Sequence, residues 1–182
     1  MRIILALITC CCLAGSAADR PVPKTFESGI DDYMKLRKRA TKGISDLKPT
    51  DDPARIEAHE QALARAIRSA RVDAKQGDVL GPQAGSYLVE IVRSEMKGAA
   101  GKPAKETAKQ GNPGVDPEGD NVPVKINAIY PDGAPASTVP ASLLLRLPKL
   151  PKELDFRFVG RHLVLRDVPA GLIIDFIPNA MP

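Results

Sequence analysis

Tryptophan is absent from the 182 residues, and the aromatic side chains are four Phe and three Tyr. Cysteine occurs only as Cys10, Cys11 and Cys12, and the two histidines are His59 and His162. Beyond residue 12 there is therefore no thiolate to hold a metal and no disulfide to staple a loop. No phosphate loop, dinucleotide fingerprint or G-x-S-x-G nucleophile motif occurs, so the nucleotide enzymes and the common serine hydrolases lack their signatures. After Leu13 no apolar run approaches the roughly 20 residues that span a bilayer. The formal net charge of +4 is a mild excess and does not read as a nucleic-acid footprint.

What is present begins at the N-terminus. Arg2 supplies a positive start, Ile3 to Leu13 is uncharged and apolar, and Ala14-Gly15-Ser16-Ala17-Ala18 are all small. This order predicts a secretory signal peptide over 1–18, cleaved after Ala17 or Ala18. A lipoprotein reading requires a small residue directly before Cys10, where Thr9 stands, and only nine residues precede that cysteine. Cleavage leaves 164 of the 182 residues, removes all three cysteines, and lowers the net charge from +4 to +3 with the loss of Arg2. The expectation is an exported protein, periplasmic or secreted, without a transmembrane segment in its mature chain.

The rest divides into a helical segment, 19–96, a flexible linker, 97–121, and a β-rich segment, 122–182, an α+β organisation. Phe26, Ile30, Tyr33, Met34, Ile44 and Leu47 keep helical spacing over 26–47, with Arg37 out of pattern. Asp52-Pro53 is a helix start, and a second helix is expected from Pro53 to about Lys75, ended by Gly77. Its apolar stripe is Ile56, Leu63, Ile67, Ala70 and Ala74, and Arg65, Arg68, Arg71 and Lys75 gather on the far side. A third helix is expected over Gln83–Met96, and a helical turn between Pro140 and Pro148. Residues 97–121 hold five Gly and three Pro with Val115 as the one larger apolar residue, too little to offset the entropy of ordering. Val122 to Tyr130 alternates like an edge strand.

The most informative piece is LDFRFVGRHLVLRD, with LIIDFI after it. Gly160-Arg161 suits a two-residue type II′ hairpin loop. That register pairs Val159 with His162, Phe158 with Leu163, Phe156 with Leu165 and Asp155 with Arg166. Leu154, Phe156, Phe158, Leu163, Leu165, Leu172, Ile174 and Phe176 then form one face. The second face mixes Val159, Val164, Ile173 and Ile177 with Asp155, Arg157, His162, Arg166 and Asp175, too apolar to be purely solvated. The segments FRFVGRHLVLRDVPAGLIIDFI and PASLLLRLPKLPKEL resemble the C-terminal part of a family of exported bacterial proteins of unassigned function. DDPARIEAHEQALARAIRSARVDAKQGD resembles its earlier half. The resemblance spans most of the mature chain and implies no activity and no site residues.

Other candidate chemistry is weak. His59-Glu60 lacks the second histidine of a helical zinc site, since Leu63 stands in its place. Asp116, Glu118 and Asp120 alternate like calcium ligands without the glycine and glutamate positions of that loop. Ser86 has no closing glycine for a nucleophile motif. No cofactor and no metal is expected. The expected function is binding or assembly through the sheet or the helices: on the second sheet face with Arg157, Arg166, Asp175 and His162 as binding residues and a protein partner or a second copy as ligand, or by the basic stripe Arg65, Arg68, Arg71 and Lys75 against an anionic envelope surface. The alternative is an exported enzyme of another type, a hydrolase using His162 with Asp167 or Asp175.

Overall fold

The computed structural model describes residues 20–113, 124–130 and 137–182. The expected signal segment with Cys10–Cys12, the acidic triplet at 116, 118 and 120, and residues 122–123 of the expected strand lie outside them. Among the described residues five helices, α1 (Lys24–Ala40), α2 (Pro53–Ala70), α3 (Gly81–Glu95), α4 (Lys102–Lys109) and α5 (Ala141–Leu144), precede the strands β1 (Leu154–Val159), β2 (His162–Asp167) and β3 (Leu172–Ile177). The strands form one antiparallel sheet in the order β1-β2-β3. The α+β class read from the sequence is the one observed.

Local signals start α2 and turn the chain after it. The Asp52 side chain accepts the Ala54 N–H at 3.0 Å, with Pro53 at the first helical position. Gly77, at φ +88°, sits in the left-handed region that turns the chain from α2 toward α3. Helix α1 packs on α2 and α3, and α5 packs on α3. One buried cluster runs from Phe26, Ile30 and Tyr33 through Leu63, Ile67, Leu88 and Ile91 to Phe156, Phe158, Leu163 and Leu165. Helices and sheet thus share a single core.

The β1–β2 register is the expected one at every position, Val159 to His162 through Asp155 to Arg166. Gly160 has φ +56°, and Arg161 is not among the residues of positive φ, which fits a type II′ loop. Three expectations are corrected. First, a β-bulge separates the β2 pairings Leu165↔Asp175 and Arg166↔Ile173, so one extra residue, Ile174, lies in β3. Beyond it the alternation inverts: Ile177 joins the main core and Phe176 the second face. Second, the reading of 97–121 as linker misses α4, whose Ala104 and Ala108 are buried. Two alanines one turn apart let a helix approach closely with little apolar bulk. Past α4, the Asn112 side chain clasps Gly160 in the hairpin, accepting its N–H and donating to its carbonyl, both at 2.8 Å. Third, 124–130 is no strand. It turns at Asn127, φ +62°, and makes a single bridge, Ile129 to Leu172.

Candidate functional site

The second sheet face is covered by the chain itself. Tyr130 lies with Val159, Val164 and Ile173 in a small buried cluster, against which Val124 and Phe176 pack. The Tyr130 N–H donates to the Gly171 carbonyl at 2.7 Å, and Ser137 Oγ accepts the Phe158 N–H at 2.7 Å. The apolar patch expected to meet a partner is therefore internal.

Asp155, rather than Asp175, gathers the two arginines of that face. Its carboxylate accepts Arg157 Nε at 2.8 Å and Arg166 Nε and Nη2 at 3.1 and 2.8 Å. Arg157 also donates to the Ser137 carbonyl at 2.9 Å, and Arg166 lies 5.0 Å over the Tyr130 ring. Burial opposes the Arg166 charge, but the Asp155 hydrogen bonds and charge outweigh it and raise its pKa. This cluster fastens the cover to the sheet.

The bulge carries Asp175 to the helical side, where it is 0% exposed. Oδ1 accepts the N–H of Gly77 and of Phe176, each at 2.8 Å, and Oδ2 accepts the N–H of Val79 at 3.0 Å and of Leu80 at 2.8 Å. Four backbone donors satisfy the carboxylate. It closes the α2–α3 loop and meets neither Arg157 nor Arg166.

The expected hydrolase pairing is not formed either. Asp167 accepts Tyr33 Oη at 2.7 Å, Arg37 Nε at 2.6 Å and the Ala170 N–H at 3.1 Å. His162 stands at the other end of β2, about 16 Å away at the rise of a strand. Its Nδ1 accepts the Asn179 N–H at 3.3 Å, and its ring meets Phe176 edge-on at 6.0 Å. Burial, and then the nearby Arg161 charge, lower its pKa. Burial and the adjacent Asp167 charge raise that of Tyr33, which keeps the hydroxyl protonated and donating.

The basic stripe expected on α2 is broken. The helix ends at Ala70, and Arg71 folds inward to 6% exposure. Its Nη1 reaches Asn127 Oδ1 at 3.1 Å, its Nη2 the Ile174 carbonyl at 2.8 Å, and the guanidinium lies 5.2 Å over the Tyr33 ring. Arg68 donates to the Asn127 carbonyl at 2.8 Å. Burial lowers the Arg71 pKa. Both arginines hold the 124–130 turn in place. His59 is half-buried on α2.

An open groove of about 980 Å³ lies elsewhere, between the outer side of α3 and the end of β3. Gly81, Gly85, Ser86 and Val89 line it from α3, and Phe176 and Ile177 from β3. Glu90 and Arg93 stand at its rim, Glu90 paired with both terminal nitrogens of Arg20 at 3.0 and 3.1 Å. Arg93 donates to the Asn179 carbonyl at 3.0 Å. The signal for it was the spacing of Gly81, Gly85 and Val89, one turn apart on a helix, which leaves a furrow where larger residues would fill space. Among the described residues no three His, Cys, Asp or Glu side chains gather as metal ligands, and no helix is long and apolar enough to cross a membrane.

Among the described residues the geometry defines an α+β protein with internally satisfied polar clusters and an open, largely apolar groove beside α3. No family model matches the chain, and no curated protein and no solved structure matches it. The function has to be read from its own surface.

Proposed function

We propose that this is an exported, non-enzymatic binding protein whose ligand site is the groove between α3 and β3. The observation that carries the reading is the groove itself: about 980 Å³, within the usual size of small-molecule sites, more apolar than polar, with Asp78, Glu90, Arg93 and Lys97 as its charged residues. The groups best suited to catalysis, Asp167, Asp175 and His162, are engaged in holding elements together. The ligand class that fits is elongated and apolar, a peptide or acyl-like chain, with polar groups meeting Glu90 and Arg93. The order of residues 1–18 supports export.

Gly85 tests the site, because a Cβ built there meets nothing within 4 Å and its φ is not in the left-handed region. The protein isolated natively should carry an apolar species visible by native mass spectrometry. Gly85→Phe should lose that species at an unchanged melting temperature. Retention of the species by Gly85→Phe refutes the groove assignment. N-terminal sequencing of the exported form should begin at Ala18 or Asp19, and a lipid-modified Cys10 refutes the cleavage.

A further inference from the structure

Most exposed large apolar residues stand singly: Ile56, Val72 and Val168. Leu144 and Leu145 are adjacent, 55% and 88% exposed, at the end of α5. The pair is held out on a firm base. Leu143 and Leu147 are buried in the core, and Pro140 and Pro148 bracket the turn. The backbone N–H groups of Leu144, Leu145, Arg146 and Leu147 all donate inward, to Pro140, Ala141, Leu143 and Leu143 carbonyls at 2.9–3.1 Å. No backbone donor at the tip loses a water partner if the tip enters an apolar layer.

The flanking charge is basic. Arg146, Lys149 and Lys152 follow within eight residues, Arg146 paired to Glu95 at 2.8 Å and both lysines exposed. Of the two acids next in the chain, Asp155 is already held by Arg157 and Arg166, which leaves Glu153. An apolar tip beside a cationic rim matches a layered target, hydrocarbon under negative charge. A protein interface would normally add direct hydrogen bonds, and the inward-donating backbone offers few.

We propose that Leu144 and Leu145 insert shallowly into an anionic lipid surface, with Lys149 and Lys152 at the level of the phosphates. The insertion does not depend on the α3–β3 groove. Shallow insertion keeps the free carbonyls of α5 within reach of interfacial water.

The test is flotation of the exported form of the chain with phosphatidylcholine vesicles and with phosphatidylcholine–phosphatidylglycerol vesicles, beside the variant Leu144→Ser/Leu145→Ser. An apolar run such as residues 3–13 would bind vesicles on its own, so both proteins are used without it. The double variant should partition about tenfold more weakly into the mixed vesicles, as loss of apolar burial at an interface requires. Lys149→Gln/Lys152→Gln should weaken binding to mixed but not to neutral vesicles, and salt should abolish that difference. Leu145→Ser alone, at the more exposed position, serves if the double variant unfolds. Equal partition of wild type and leucine variants overturns the proposal. So does a wild-type dimer in sedimentation velocity that the leucine variant loses without any change in vesicle binding, since the pair would then be a protein contact.

Discussion

Tyr33 on α1 donates its hydroxyl to Asp167 on β2 at 2.7 Å, and Arg37, one turn further along α1, donates to the same oxygen at 2.6 Å. The first helix is thereby tied to the middle strand of the sheet through one fully buried carboxylate. Asp167→Ala strands a mostly buried guanidinium and a buried hydroxyl. Breaking a buried pair from one side should cost about 3 kcal/mol. Urea unfolding measures it, and a loss below about 1 kcal/mol would show that solvent replaces the carboxylate readily.

Asp175→Asn is expected to destabilise without altering association. The amide keeps the size but turns a donor toward a set of backbone N–H groups, so at least one of four hydrogen bonds is lost. A loss of about 2 kcal/mol is expected for a buried charged acceptor. Oligomeric mass by light scattering should stay unchanged. A change in mass at constant stability would return Asp175 to an interface.

Gly29 is required for room. A Cβ there would overlap the Val79 carbonyl oxygen, a backbone atom that cannot swing aside. Gly29→Ala has to push α1 away from the loop that Asp175 closes. The expected cost is about 2–3 kcal/mol, that of an overpacked core, although alanine is the better helix former. A neutral or stabilising result in thermal unfolding would show that α1 slides freely.

His162 should titrate below the ordinary imidazole value of about 6.5. Burial and Arg161 favour its neutral form, and Nδ1 must stay unprotonated to accept the Asn179 N–H. The folded-state pKa is depressed, so its contribution to stability is present above the unfolded value and is lost as pH falls through the folded one. NMR titration of the ring should give the low midpoint, and His162→Gln should flatten that part of the stability–pH profile. A midpoint above about 6.5 would indicate an unseen carboxylate neighbour.

The start of α2 at Asp52-Pro53, the hairpin register and the Asp155–Arg166 pair were legible because each rests on residues close in sequence or facing across a two-residue turn. The bulge was not: LIIDFI alternates equally well in either phase, and only the backbone donors of 77–80, almost a hundred residues earlier, draw Asp175 inward. The same distance hid Arg71, whose place on the polar side of α2 was read from a helix that in fact stops one residue before it. The second face was recognised as too apolar for solvent, and its cover came from 124–130, where Asn127 and the two arginines override an alternating pattern. In 97–113 the composition argument counted bulk, and alanines pack by closeness instead.

The Asp175 closure has a consequence for the order of events in synthesis. The turn between α2 and α3 leaves the ribosome long before the residue that completes it, and the Tyr33–Arg37 pair likewise waits for Asp167. A nascent chain that has reached only α4 can pack α1 on α2 and α3 but lacks the sheet with which those helices share their core. Commitment to the native state is thus deferred until the last strand is made, and the intervening chain stays available to whatever machinery handles unfolded polypeptide.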